Sequence, residues 1–148
     1  MLKKNSKRVK IKKVSTKDKI RHLKAKCTKR HLVVDDSEMN LLIMQSYLKQ
    51  LGLECDVAAG GVECIELLEE KKNPFYYDAV WTDLTMPDMS GQELVLQLRK
   101  KGFTMVIIAI SGSSLNEKQL RKAKIDFMCV KPLKKNTLLD MEIIKVYQ

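Results

Sequence analysis

At 148 residues the chain has room for one compact domain and a tail, but not for a second domain of ordinary size. Its 45% apolar and 31% charged residues are those of a soluble globular protein, and no stretch approaches the ~20 consecutive apolar residues that a membrane span needs. The net charge of +10 is unevenly placed: residues 1–30 hold 14 Lys and Arg against Asp18 alone, while residues 31–148 hold 14 against 17 acids, so the folded part by itself is no general binder of polyanions.

The basic segment, residues 1–30, reads as a disordered, solvated tail. Its charge would also suit a nuclear-localisation signal or a contact with nucleic acid. A transit peptide fits less well, because lysine exceeds arginine and serine is sparse. The N-terminus lacks the apolar core of a secretory signal, and Cys27, Cys55, Cys64 and Cys129 have no paired spacing; both point to a reducing, cytoplasmic setting without disulfides or a zinc site.

From His31 onwards short apolar runs alternate with amphipathic segments through five rounds, the signature of βαβ units. The first strand is HLVVDD, 31–36, followed by a helix from about Ser37 to Leu51 whose face is Leu41, Leu42, Met44, Tyr47 and Leu48, with Gly52 as its stop. The second strand, 54–59, passes through Gly60 and Gly61 into a helix that ends before Asn73-Pro74. The third strand is 77–84; after it come the loop TMPDMSG and a helix closed by three cations and Gly102. TMVIIAIS, 104–111, is apolar throughout, as a central parallel strand covered on both faces should be. A polar helix over 114–124, a fifth strand over 125–131 and a last helix from Asn136 to Tyr147 complete the pattern. The fold class is therefore α/β, a doubly wound five-stranded parallel sheet occupying residues 31–148.

In such a sheet the ligand site lies along the carboxyl ends of the strands. Those ends carry Asp35 and Asp36, then Asp83, Ser111 and Lys131. Three adjacent carboxylates repel one another, so the cluster calls for a cation, and a few carboxylates with open positions suit Mg²⁺, or Mn²⁺ in its place. Asp36 fits a direct ligand and Asp35 a partner through water, with the backbone carbonyl of Thr85 as a further oxygen. Asp83 is then a nucleophile able to form an acyl phosphate while Lys131 neutralises the phosphoryl oxygens and Ser111 donates a hydrogen bond to them. Lys131 precedes Pro132, a bond that adopts the cis form at little cost.

LVVDD at 32–36, TDLTMPDMSG at 82–91, AIS at 109–111 and VKP at 130–132 together resemble the receiver domain of two-component response regulators, over roughly residues 30–148. The resemblance implies a flavodoxin-like (βα)5 fold with strand order 2-1-3-4-5. It also implies Asp83 as phosphoacceptor, Asp35 and Asp36 as the metal pair, Ser111 as a switch hydroxyl and Lys131 as the phosphate contact. Asn40 resembles the asparagine in the DD-x-x-x-N pattern of receivers attached to hybrid kinases, whose donor is a histidine kinase or a histidine-phosphotransfer protein. The chain would then be a phosphoacceptor rather than an enzyme, monomeric or weakly dimeric, away from membranes, with nucleic acid reached only through residues 1–30. Three positions depart from or tune the family pattern: Met128 stands where an aromatic is usual, with Phe127 one place earlier; Lys124 replaces a glycine; and Thr85 sits where the acyl-phosphate lifetime is set. Two other classes share parts of this pattern. A metal-dependent phosphohydrolase with an Asp nucleophile would want an acid where Thr85 stands, and a nucleic-acid binder would depend on the tail. His22 and His31 read as structural or exposed, and Trp81 as core.

Overall fold

The computed structural model describes residues 14–148. After helix α1 (Val14–Ala25) come β1 (Arg30–Val34), α2 (Glu38–Gln50), β2 (Glu54–Ala58), α3 (Gly61–Glu70), β3 (Ala79–Asp83) and α4 (Gly91–Lys100). Then follow β4 (Val106–Ser111), α5 (Glu117–Ala123), β5 (Phe127–Val130), α6 (Lys135–Leu139) and α7 (Glu142–Lys145). The five strands form one sheet in the order β2-β1-β3-β4-β5, every pair parallel.

Strand side chains alternate between two apolar clusters, one on each face of the sheet, because successive Cβ atoms point to opposite sides. Leu32, Val34, Val80, Ile107, Ala109 and Met128 face α3, α4 and α5. Val33, Trp81, Val106, Ile108, Ile110, Phe127 and Cys129 face α1, α2, α6 and α7. Both faces are covered, which is why β4 can be wholly apolar up to Ser111.

Helix starts follow local chemistry. The hydroxyls of Ser37 and Ser90 accept from the backbone N–H of Asn40 and Glu93, and Asn116 forms a reciprocal capping box with Gln119; each such cap is worth ~1 kcal/mol. Gly52 and Gly102 end their helices at φ +82° and +95°, the left-handed region that glycine enters without strain. Lys124 ends α5 in that region too, at φ 61°, where a side chain is a burden.

Two expectations are corrected. The first thirty residues are not a disordered tail throughout; residues 1–13 lie outside the described residues, but Val14–Ala25 is helical and docked. Thr16, Ile20 and Leu23, spaced i, i+4, i+7, form a buried stripe, and buried Asp126 accepts from the Thr16 hydroxyl at 3.2 Å and from the Lys19 ammonium at 3.0 Å. The expected single helix over 136–147 is instead two short ones, broken where Met141 is extended. The break lets Leu138, Met141, Ile143 and Ile144 all turn inwards, which one straight helical stripe would not allow.

Candidate functional site at the carboxyl ends of the strands

Parallel pairing aligns the strand ends, and the register places Val34 beside Thr82, Asp83 beside Ile110, and Ser111 beside Val130. The residues that immediately follow β1 and β5, Asp35, Asp36 and Lys131, therefore meet the ends of β3 and β4. One carboxylate oxygen from each of Asp35, Asp36 and Asp83 lies within 4.8 Å of the others. Asp35 and Asp83 are buried and Asp36 is exposed. The Lys131 ammonium donates to Asp83 Oδ2 at 3.2 Å and stands 3.9 Å from Asp35 Oδ2. Its carbonyl-side neighbour is Pro132, joined by a cis peptide.

Each member is held by its own element. Asp35 Oδ1 accepts from the Ser37 N–H at 2.9 Å, and its Oδ2 accepts from the Asn40 side-chain amide at 3.2 Å, so the first turn of α2 fixes the carboxylate. Burial pushes Asp35 above the ordinary carboxylate range, the Asp83 charge adds to this, and the Ser37 N–H, Lys131 and Asn40 work against it. Asn40, noted in the sequence for its spacing, thus has a contact of its own. Ser111 is buried and its hydroxyl accepts from the Ser113 N–H at 3.3 Å, at the start of the loop that leads to α5. The Thr85 N–H reaches Asp83 Oδ1 only at 3.4 Å.

Loop residues 84–90 are shaped by contacts that spacing alone did not reveal. Asp88 caps α3, accepting from Val62 N–H at 3.0 Å and Met89 N–H at 2.9 Å, and these donors hold its carboxyl below the usual range. A Cβ at Gly60 would lie 2.8 Å from the Asp88 carboxylate, and one at Gly91 would run into the Asp83 carbonyl oxygen and lie 2.8 Å from Leu84 Cα. Gly91 is needed because the backbone folds back on itself there, its N–H donating to the Leu84 carbonyl at 2.9 Å. Beside the trio, Asp36, Glu63, Glu66 and Asp88 line an open cleft of about 510 Å³ and give the rim a negative field.

Phe127 does not replace the missing aromatic at position 128. Its ring is on the opposite face of the sheet from Met128, whose sulfur instead receives the Leu115 N–H at 3.2 Å. Neither histidine belongs to the site. His31 is fully buried: its Nδ1 accepts from the Trp81 indole at 2.8 Å, which leaves the proton on Nε2, directed at the Tyr147 hydroxyl 2.8 Å away. Burial pushes its pKa down from 6.5 to about 4, with Asp78 opposing.

Comparison with known proteins bears on this geometry. The family model for the response regulator receiver domain matches residues 32–142. The chain is 33% identical over 87 residues to Two-component system protein A of Emericella nidulans, a match that spans 57% of this chain and 12% of that protein. It is 31% identical over 70 residues to the sensor histidine kinase RcsC of Escherichia coli, spanning 47% of this chain and 7% of the kinase. The match thus covers only a small fraction of these relatives' length. Among solved structures, the chemotaxis protein CheY4 of Vibrio cholerae superposes with a TM-score of 0.67 at 26% identity, over 74% of this chain and 92% of that one. The receiver domain of the histidine kinase CKI1 from Arabidopsis thaliana, solved with Mg²⁺ and BeF₃⁻, does so with a TM-score of 0.67 at 26% identity, over 88% and 97%.

Proposed function

Since the chain belongs to the response regulator receiver domain family, we propose that Asp83 is the acceptor of a phosphoryl group delivered from a phosphohistidine. The observation that carries this is the buried Asp83 carboxylate, 3.2 Å from the Lys131 ammonium and within 4.8 Å of two further carboxylates at the carboxyl edge of the sheet. The chain is a receiver of two-component signalling, similar to those of hybrid histidine kinases.

Receiver domains bind Mg²⁺ at an acidic pocket, and the donor set here fits a hard cation: three crowded carboxylates, of which Asp35 is raised in pKa by burial and further by the Asp83 charge. Asp36, Asp35, Asp83 and the Thr85 carbonyl would hold Mg²⁺ or Mn²⁺. When bound, such a cation supplies charge neutralisation for the carboxylates and the phosphoryl oxygens.

An Asp83 oxygen attacks phosphorus in line with the P–N bond; a P–O bond forms, the P–N bond breaks, and its electron pair leaves with the imidazole, which takes a proton from solvent. Lys131 offsets charge on the phosphoryl oxygens, and the Ser111 hydroxyl, now held by Ser113, turns to donate to the phosphate. That reorientation draws on the loop after β4 and would change the surface formed by α5, β5 and α6. The donor would be a histidine kinase or a histidine-phosphotransfer protein, met in the cytoplasm, with the chain acting stoichiometrically rather than as a turnover enzyme. No helix among the described residues is long and apolar enough to cross a membrane. The phosphohydrolase reading is not favoured, since Thr85 offers no carboxyl group where a general acid would stand.

Incubation with acetyl phosphate and Mg²⁺, followed by intact mass, tests the reading. A gain of one phosphate, absent in Asp83→Asn and absent in EDTA, supports it. Labelling that survives Asp83→Asn, or multiple turnover of a phosphate ester, overturns it.

A further inference from the structure

At the pole opposite Asp83, a cleft of about 460 Å³ runs between one flank of α1 and the amino-terminal edge of β3 and β4. Its volume is in the range of small-molecule sites, about 300–1,000 Å³. The walls are largely apolar: Leu23 from α1 faces Tyr77, Met105 and Val106, and Phe75 stands at the mouth, 61% exposed, its ring 6.4 Å from that of His22. Nothing in the receiver chemistry uses this cleft, and α1 lies outside the residues that the family model matches.

The charges around it sort by partner. Asp78, on the floor, already accepts from the Thr28 N–H, the Thr28 hydroxyl, the Lys29 N–H and the Tyr147 hydroxyl at 2.7–2.9 Å. Asp18 is paired with Arg21 at 3.0 Å, and Lys19 is held by Asp126 at 3.0 Å. Among the described residues, the exposed basic side chains that remain on the lining are Lys26 and His22. An apolar slot whose one exposed acid among the described residues, Asp18, is offset by Arg21, and whose mouth carries Lys26 and His22, selects an occupant with an apolar body and one anionic head. A bilayer is disfavoured, because Ile20 and Leu23, the large apolar side chains described on α1, are already buried in the protein. A polyanion is disfavoured as well, since its backbone would find no apolar counterpart to fill the slot.

We propose that the cleft between α1 and the amino-terminal edge of β3 and β4 binds a small amphipathic monocarboxylate of the medium-chain fatty-acid class, its chain on Leu23, Phe75, Met105 and Val106 and its head at Lys26 and His22. Because α1 forms one wall, only the chain with α1 docked binds, and occupancy holds the helix in place.

The test uses the full chain, with decanoate displacing the fluorescent probe 8-anilinonaphthalene-1-sulfonate. Decanoate binds at one saturable site, decanol more weakly and decylammonium most weakly. Thr104 is exposed on the lining, so Thr104→Trp fills the slot and abolishes binding, while Lys26→Glu, on the surface, weakens it by about fivefold. Phe75→Ala, also exposed, weakens binding and guards against a folding defect in the tryptophan variant. All three keep Mg²⁺-dependent labelling by acetyl phosphate, which reports an intact opposite pole. Binding that does not saturate, that ignores Thr104→Trp and Phe75→Ala, or that favours decylammonium over decanoate overturns the proposal.

Discussion

At the amino-terminal edge of the sheet, buried Asp78 accepts from two backbone N–H groups and two hydroxyls, and buried Asp126 from the Thr16 hydroxyl, Lys19, Arg99 and the Ile107 N–H. At the carboxyl edge, the donors that reach the Asp83 side chain among the described residues are Lys131 and the distant Thr85 N–H. The two edges hold the same functional group in opposite states. A carboxylate saturated by fixed protein donors ties elements together and has no lone pair to lend. One that keeps lone pairs beside two like charges is suited to a cation and to an incoming electrophile. Burial alone would not separate them, for Asp78, Asp126 and Asp83 are all less than 10% exposed.

The largest expected effect lies at the saturated edge. Asp126→Ala removes the counter-charge of the nearly buried Arg99 and of Lys19 and the acceptor of the Ile107 N–H, and urea unfolding should show a loss of about 3–5 kcal/mol. A loss under ~1 kcal/mol would show that Asp126 does not clamp α1 and α4. Next comes the pH dependence of the core chain Trp81–His31–Tyr147–Asp78. The folded protein holds His31 neutral down to about 4 while the unfolded chain protonates near 6.5. The stability it contributes is therefore complete above the unfolded value and is lost as pH falls towards the folded one. Between about pH 7 and about pH 5 this is on the order of 2 kcal/mol, read as the difference in acid sensitivity between wild type and His31→Gln. Equal sensitivity in both would contradict it.

At the unsaturated edge the sign reverses. Asp83→Asn removes repulsion from Asp35, so the metal-free variant should be as stable as wild type or up to about 1 kcal/mol more so, and Mg²⁺ should raise the melting temperature of wild type alone. Destabilisation like that of Asp126→Ala would erase the distinction between the edges. The smallest change concerns neither: Lys124→Gly relieves a left-handed lysine at the end of α5 and should stabilise by about 0.5–1 kcal/mol in thermal melts.

The carboxyl edge was legible in the sequence because its groups sit at fixed places, each directly at the end of an apolar run: Asp35 and Asp36 after LVV, Asp83 after AVWT, Ser111 after VIIAI, and Lys131 after FMCV. Strand order came with the family resemblance, and from β1 to β5 the element order matched, with strand ends differing by at most two residues, as frayed termini do. The amino edge was not legible. In α1 the buried positions are Thr16, Ile20 and Leu23, diluted among cations, and the carboxylate that anchors them lies 107 to 110 residues away in Asp126. Local pattern carries no signal for a pairing of that range. The break at Met141 escaped for a related reason: 136–147 has an apolar face at helical spacing, and the gain from burying both Ile143 and Ile144 is set by the tertiary cluster they enter. Gly91 could be read as a helix start, yet its reason, the approach of the Asp83 carbonyl, is visible only in three dimensions.

Locating the phosphoryl group on the chain tests the contrast between the edges most directly. After labelling with acetyl phosphate and Mg²⁺, borohydride reduction of the acyl phosphate and tandem mass spectrometry should place a single modification at Asp83. Modification of Asp78, Asp126 or a histidine, or of Asp35 or Asp36 in preference to Asp83, would contradict the assignment of the chemistry to Asp83 at the unsaturated carboxyl edge.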